Sequence, residues 1–125
     1  EKGKDIALSS RDASVWVNGN TEMLSRAIRN LVENAINYSP PGTTVEIVVD
    51  SSGLVRVLDE GPGIKEDERE LIFQRFWRRD RRRAGSAGLG LSIVHRIAEA
   101  HAAIISVEGR PTGGAQFSLS FPRVA

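Results

Sequence analysis

The chain of 125 residues contains no cysteine, so it can form neither a disulfide framework nor a thiolate metal site. It has no apolar run near the ~20 residues that a membrane-spanning helix needs, and no signal-peptide pattern opens it. Its formal net charge is only +1, which gives little reason to expect general nucleic-acid binding. Internal repeats, low-complexity tracts and linkers are missing as well. What remains is a single domain of ordinary globular composition, with 40% hydrophobic and 26% charged residues.

A helix with two distinct stripes is predicted over residues 21–39. Its apolar residues recur at three- and four-residue steps, the pattern of a helix packed on a core. Asn30, Asn34 and Asn37 share this period and form a second stripe beside the first. Their carboxamides offer neutral oxygen ligands to a hard cation such as Mg²⁺, without the repulsion that carboxylates would exert on a polyanion. The stretch indicates a metal–nucleotide site; the alternative is a row of half-exposed polar residues with no task.

The order of elements predicts a mixed, largely antiparallel sheet of about five strands with three helices on one face. Asn20 is expected to cap the first helix. The predicted strands are residues 6–8, 15–17, 44–49, 54–58, 104–107 and 115–121. The predicted helices are residues 21–39, 65–76 and 91–100, the second with Leu71, Ile72 and Phe76 on one side.

The segment Asp59-Glu60-Gly61-Pro62-Gly63 stands where a predicted strand ends. Two glycines at alternate positions allow a tight turn and the close approach of a flat ligand. The Asp59 carboxylate can accept a hydrogen bond from an exocyclic amine such as that of adenine. A plain Gly-Pro turn after a strand fits the same residues.

A glycine-rich loop at residues 85–92 opens the last predicted helix. Unpaired N–H groups at a helix start hold phosphate oxygens, although neither the P-loop pattern nor the dinucleotide fingerprint is present. Five arginines between Arg78 and Arg83 precede this loop. A basic flap that closes over a triphosphate explains them better than a nucleic-acid patch, because Trp77 is the only interleaved aromatic residue. A mobile hinge and a solvated loop are the alternatives.

Taken together and in order, these stretches resemble the ATP-binding catalytic domain of bacterial sensor histidine kinases, in the superfamily shared with DNA gyrase, Hsp90 and MutL. The similar segments are residues 30–39 (N box), 59–64 (first glycine box), 72–78 (F box), 85–91 (second glycine box) and the terminal Gly113-Gly114 with Phe117. The resemblance covers nearly the whole chain. It implies a two-layer α/β sandwich, the Bergerat fold, with the nucleotide between helices and a flexible lid.

The resemblance also implies a role for individual residues. Asn34 would ligate a Mg²⁺ ion that bridges the ATP phosphates, with Asn30 as a second ligand. Asp59 would bind the adenine amine, and Arg78 would approach the γ-phosphate, so that Asn34 and Arg78 are the implied catalytic residues. The implied nucleotide-binding residues are Asn30, Asn34, Asn37, Tyr38, Asp59, Gly61, Gly63, Ile64, Phe73, Gly85, Ser86, Gly88, Leu89, Gly90 and Leu91.

Three features depart from the family pattern. Asn37 stands where these kinases often carry a Lys or Arg that touches phosphate. Ala102-Ala103 follow His101 where glycines are usual, and the loss of a left-handed glycine cap costs about 1 kcal/mol unless the helix ends differently. No phosphoacceptor histidine segment is present, because neither His95 nor His101 fits one. We interpret both histidines as structural or surface residues.

One position separates the branches of the superfamily. Members that hydrolyse ATP, and the anti-sigma serine kinases, typically place a general-base Glu one helical turn before the metal-binding Asn. Asn30 occupies that position here, and a carboxamide cannot take a proton from water. Glu33 points about 100° away from Asn34 around the helix and is no substitute. Phosphoryl transfer to a nucleophile delivered from elsewhere is therefore favoured over hydrolysis.

The sequence thus predicts that residues 1–125 form the catalytic domain of a two-component sensor histidine kinase without its dimerisation and phosphoacceptor domain. It would bind Mg-ATP and transfer the γ-phosphoryl group to a histidine on a separate dimerisation helix, from which it would pass to a response regulator. We expect ATP or ADP and these two proteins as partners, with no nucleic acid and no direct membrane insertion. The expected location is the cytoplasmic portion of a membrane-anchored kinase. A superfamily ATP hydrolase or serine kinase, and a non-catalytic binding module, stay open as alternatives.

Overall fold

A computed structural model describes residues 7–10, 19–50, 52–74 and 90–122. Its strands form one five-stranded sheet in the order β1-β2-β3-β5-β4, in which β1 is parallel to β2 and the other neighbours are antiparallel. The strands are β1 (Ala7–Ser10), β2 (Thr44–Asp50), β3 (Leu54–Leu58), β4 (Ile104–Gly109) and β5 (Ala115–Ser120). The predicted mixed, largely antiparallel sheet is confirmed, while the strand predicted at residues 15–17 lies outside the described residues.

Helix α1 spans Thr21–Tyr38 and begins at the predicted cap. The Asn20 side chain accepts a hydrogen bond from the backbone N–H of Met23 at 3.0 Å, and so pairs one of the four N–H groups that a helix start leaves free. The helix stops because Ser39 precedes a proline and takes an extended backbone (φ −87°, ψ 136°). The buried Ser39 hydroxyl then donates to the carbonyl oxygen of Ala35 at 2.7 Å.

One hydrophobic cluster joins the helices to a single face of the sheet, and this confirms the two-layer sandwich. Helix α1 buries the small and branched residues of its apolar stripe, and helix α2 (Gly90–Ala100) does the same. The buried members of the cluster are Ala27, Leu31, Ala35, Val45, Val57, Ile64, Ile72, Val94, Ile97, Val107, Ala115 and Phe117. Within the described ranges, no helix is both long enough and apolar enough to cross a membrane.

The single helix predicted over residues 65–76 takes a different form in its described part. Two 3₁₀-helices, Glu66–Glu68 and Leu71–Phe73, replace it. Ile72 is buried whereas Leu71 is 39% exposed, so the prediction that these two residues lie on one side of the element is wrong. The tighter 3₁₀ winding, with three residues per turn, changes which side chains share a face. Phe76 lies outside the described residues.

Helix α2 ends in a left-handed turn although no glycine is there. Ala102 has φ +56°, the one described residue other than glycine with a positive φ. The N–H of Ala103 donates to the Ala98 carbonyl at 2.8 Å, and the N–H of Ala102 donates to the Glu99 carbonyl at 3.2 Å. This pair of bonds is the Schellman motif. The helix therefore ends as it would with a glycine, and the alanine carries the strain of about 1 kcal/mol expected from the sequence.

Candidate functional site

Asp59, directly after β3, is the one charged residue that is buried among those described, with 0% of its surface exposed. Its Oδ1 atom accepts hydrogen bonds from the backbone N–H groups of Gly61 at 2.9 Å and Ala115 at 3.1 Å. Oδ2 is also buried, yet it has no hydrogen-bond partner among the described residues. A buried acceptor without a partner is costly, and it is usually satisfied by an ordered water, an ion or a ligand, or serves catalysis. Oδ2 of Asp59 can therefore accept a hydrogen bond from a further donor.

The loop before β5 and the first residue of β5 form hydrogen bonds to the backbone of Asp59. The Asp59 N–H donates to the carbonyl oxygen of Ala115 at 2.9 Å, and Arg110 Nη1 donates to the Asp59 carbonyl oxygen at 2.8 Å. Gly114 has φ +94°, and a Cβ there would stand 2.1 Å from the same carbonyl oxygen. The loop can approach Asp59 this closely only because position 114 has no side chain.

The two glycines of the predicted first glycine box are both sterically required. A Cβ on Gly61 would stand 2.4 Å from the carbonyl oxygen of Tyr38, so the loop after β3 lies against the last turn of α1. Gly63 has φ +80°, and a Cβ there would stand 3.2 Å from the Gly114 carbonyl oxygen. Ile64, which follows them, is buried in the core. The structure thus brings Tyr38 and this loop together with the loop before β5.

The asparagine stripe lies on α1 with graded exposure: Asn30 and Asn34 are half-buried, and Asn37 is exposed. Asn34 lies one helical turn, about 6 Å along the axis, before Tyr38 and so close to the contact with Gly61. Its Nδ2 atom is buried without a partner in the described part of the chain. A carboxamide in this state can donate through its nitrogen or, turned by half a rotation, present its oxygen to a cation or a donor.

The donor set fits a magnesium ion that is held jointly with phosphates. Among the described residues, no group of three or more His, Asp or Glu side chains could hold a metal by itself. Mg²⁺ is commonly bound through one or two side chains together with substrate phosphates, rather than in a cage built by protein alone. One or two neutral carboxamides on α1 agree with that mode.

Phe73 packs between helix α2 and strand β5. Its ring meets Phe117 edge-on at a centroid distance of 6.4 Å and lies 6.0 Å from the ring of His95. Gly90 is the first residue of α2, and Leu91 packs against the core cluster. The predicted residues Arg78, Gly85, Ser86, Gly88 and Leu89 lie outside the described residues, as does the rest of the arginine-rich segment.

Sequence reasoning missed the part that Arg110 and Ala115 play. Both are more than 50 residues from Asp59 in the chain, and they meet it because β3 pairs with β5. The Gly113-Gly114 pair was the available signal, since two glycines directly before a strand mark a backbone that bends sharply or passes close to another.

Comparison with known proteins agrees with this architecture. The family model described as "Histidine kinase-, DNA gyrase B-, and HSP90-like ATPase" matches residues 19–125. The sensor-like histidine kinase SenX3 of Mycolicibacterium smegmatis is 43% identical over 110 residues, which are 83% of this chain and 29% of SenX3. The structure of the mycobacterial sensor histidine kinase MprB superposes with a TM-score of 0.79 at 30% identity, over 97% of this chain and 85% of that one. Full-length ShkA in complex with AMPPNP gives a TM-score of 0.72 at 30% identity, over 99% of this chain and 27% of ShkA.

The chain therefore belongs to the histidine kinase-, DNA gyrase B- and HSP90-like ATPase family, as the catalytic ATPase-type domain of a sensor histidine kinase. It spans about 29% of the length of SenX3.

Proposed function

We propose that this chain binds Mg-ATP and donates the γ-phosphoryl group to a histidine on a separate dimerisation helix. The observation that carries the proposal is the buried Asp59 carboxylate, whose Oδ1 is fixed by two backbone N–H groups while Oδ2 stays without a partner among the described residues. The 6-amino group of adenine is a donor that would satisfy Oδ2. Guanine carries a carbonyl oxygen at the same ring position and would meet Oδ2 with a second acceptor.

The phosphates would lie toward α1 and the start of α2. Asn34, with Asn30 one turn earlier, would hold the magnesium ion, which supplies positive charge to the β- and γ-phosphates. Gly90 is the first described residue of α2, and the positive end of the helix dipole favours phosphate there. We assign the remaining phosphate contacts to Arg78, Gly85, Ser86, Gly88 and Leu89, following the family resemblance. Support for a nucleotide ligand also comes from the relative ShkA, which was solved with AMPPNP.

In the proposed phosphoryl transfer, the protein forms no covalent bond to the substrate. The bond between the γ-phosphorus and the β–γ bridging oxygen breaks, a bond to an imidazole nitrogen of the acceptor forms, and ADP leaves. Catalysis of such a transfer rests on positioning and electrostatic stabilisation. Asn30 offers no general base for water, which favours a delivered nucleophile over hydrolysis.

The remaining parts of the proposal concern the longer protein. The relatives are sensor kinases of which this chain matches less than a third. We propose that residues 1–125 act as the catalytic domain, with a histidine-bearing dimerisation domain and a response regulator as protein partners. The cytoplasm is the proposed location, because ATP is the substrate.

Calorimetric titration with AMPPNP, with and without Mg²⁺, tests the site. We expect Asp59→Ala to abolish measurable binding in both conditions, and Asn34→Ala to abolish the Mg²⁺-dependent binding. Ser25→Ala, an exposed position on the same helix, is the matched control and keeps the wild-type affinity. Wild-type affinity in both site variants would contradict the assignment.

A second assay distinguishes the reaction types. Incubation with labelled ATP and an added histidine-bearing dimerisation helix is expected to label that helix. Appreciable Mg²⁺-dependent phosphate release by the domain alone would favour a hydrolase instead. No binding of ATP or ADP at all would favour a non-catalytic module.

A further inference from the structure

Arg110 stands outside every motif that the sequence analysis singled out, in the loop between β4 and β5. Its backbone N–H donates to the Gly114 carbonyl oxygen at 3.2 Å, and its own carbonyl oxygen accepts from the Gly113 N–H at 3.0 Å. These two bonds close the loop on itself. The half-buried Arg110 side chain then reaches across and donates from Nη1 to the Asp59 carbonyl oxygen at 2.8 Å. One residue thus closes the loop and ties it to the end of β3.

This bond completes the fixation of Asp59. The Asp59 N–H is paired with Ala115, Oδ1 is paired with Gly61 and Ala115, and the carbonyl oxygen is paired with Arg110. Oδ2 alone lacks a described partner. Since the side chain can turn only as far as its backbone and the two bonds of Oδ1 allow, the direction of Oδ2 is set by these contacts. Because these supporting hydrogen bonds hold the Asp59 carboxylate in one orientation, its Oδ2 atom points in one direction.

We propose that Arg110 is a positioning residue for recognition of the base. By holding the Asp59 carbonyl oxygen, it keeps Oδ2 directed at the exocyclic amine of the nucleotide. The inference rests on the proposed function, since it concerns the same site. An arginine suits this task because its guanidinium is always charged and planar, and a charged donor makes a shorter and stronger bond than a neutral one.

A neighbouring arginine provides a matched control. Arg69 is also half-buried. Its Nη2 atom lies 3.3 Å from the position that a Cβ on Gly109, the residue before Arg110, would occupy. Among the described residues, no hydrogen bond joins Arg69 to Asp59, whose carbonyl oxygen accepts from Arg110. Replacing Arg69 removes the same charge from the same neighbourhood without touching the proposed positioning bond.

The experiment compares two nucleotides, ATP and purine riboside 5′-triphosphate, which lacks the 6-amino group. The dissociation constants of both are measured at one Mg²⁺ concentration, and their ratio reports the contact between the amine and Asp59. We expect wild type and Arg69→Met to share the same preference for ATP. Arg110→Met should lower that preference about tenfold, the factor that one hydrogen bond of ordinary strength contributes. Arg110→Lys, which keeps a charged donor, should recover part of the preference.

Each other outcome counts against the inference. If Arg110→Met raises the dissociation constants of both nucleotides by the same factor, Arg110 only supports the fold. If Arg69→Met lowers the preference for ATP as much as Arg110→Met does, the effect comes from the loss of a positive charge near the site and not from the bond to Asp59. Should Arg110→Met not fold, an unchanged ratio in folded Arg110→Gln overturns the proposal in its place. A wild-type chain that binds neither nucleotide, or both equally, would instead overturn the proposed function, and this inference with it.

Discussion

The Nε2 atom of His101 accepts a hydrogen bond from the backbone N–H of Asn20 at 3.0 Å. The other ring nitrogen, Nδ1, lies 2.8 Å from the carbonyl oxygen of Ile97. A ring that accepts through Nε2 carries its proton on Nδ1 and can donate it to the Ile97 carbonyl oxygen. Gly19 leaves space for it, because a Cβ at that position would stand 2.3 Å from the ring carbon Cδ2. A single imidazole therefore joins the capped start of α1 to the end of α2.

His101→Phe is expected to destabilise the domain by about 1 kcal/mol, because it keeps a ring but removes both hydrogen bonds. The loss stays moderate since Asn20 is exposed and water can reach its N–H. The free energy of unfolding in urea measures it. His95→Phe is the control: the His95 ring lies 3.8 Å from Glu99 at the surface, a contact that contributes little, so the stability should change by less than about 0.5 kcal/mol. Equal losses in the two variants would contradict the role of the interhelical bond.

Ala102→Gly is expected to stabilise the domain by about 1 kcal/mol, because glycine adopts the positive φ of the Schellman turn without the strain of a Cβ. The change appears as a higher urea midpoint at an unchanged m-value. Ala100→Gly, two residues earlier in the last turn of α2, should destabilise by about 1 kcal/mol, as glycine does inside a helix. A loss of stability in both variants would mean that the strain at Ala102 is negligible.

Gly113→Ala and Gly114→Ala form a matched pair, since both glycines have φ near +95°. A Cβ on Gly113 meets no atom within 4 Å, whereas a Cβ on Gly114 would stand 2.1 Å from the Asp59 carbonyl oxygen. We expect Gly113→Ala to cost about 1 kcal/mol for the conformation alone, and Gly114→Ala to cost a further 1–3 kcal/mol, roughly, for the clash. Because the clash displaces Asp59, Gly114→Ala should also lose AMPPNP binding in calorimetry. Retained binding in Gly114→Ala would argue against the close fit at Asp59.

Asp50 provides a test that depends on pH. The Ser52 hydroxyl and the Ser52 backbone N–H both donate to its carboxylate and lower the pKa of Asp50, with a smaller contribution from Arg56 at 4.0 Å. A carboxyl whose pKa is lower in the folded state stabilises the fold at neutral pH. This contribution is lost as the pH falls below about 4 and through the lowered pKa. Asp50→Asn should therefore lower the melting temperature at neutral pH, and the difference from wild type should shrink in acid.

Ser52→Ala is the companion variant, because it removes the hydroxyl donor and leaves the carboxylate in place. It should show the same pH dependence with a smaller amplitude. A destabilisation by Asp50→Asn that is equally large at neutral and acid pH would show that the ionised carboxylate does not contribute through these bonds.

Much of the fold follows from local patterns. The cap at Asn20, the end of α1 at the residue before Pro40, and the described strands were predicted within a few residues, because turn and cap chemistry acts over short distances. The prediction failed at Leu71, where an apolar sequence fits both an α-helix and two 3₁₀-helices. In the structure Ile72 joins the core cluster while Leu71 is exposed, a division that the sequence pattern did not predict.

The candidate site divides in the same way. Asp59, Gly61 and Gly63 stand out in the sequence because a strand end followed by alternate glycines is a local signal. Two of the partners of Asp59 do not stand out: Arg110 and Ala115 are more than 50 residues away in the chain and reach Asp59 through the pairing of β3 with β5.

By itself, the sequence determined the described strands and the two long helices, the family to which the chain belongs and the residues that can carry the chemistry. Tertiary structure decided which oxygen of Asp59 has no partner in the described part of the chain, because that depends on the N–H groups of residues 61 and 115 and on a carbonyl oxygen that residue 110 holds. Hydrogen bonds between distant strands require a settled register, and the register follows from the packing of the whole core.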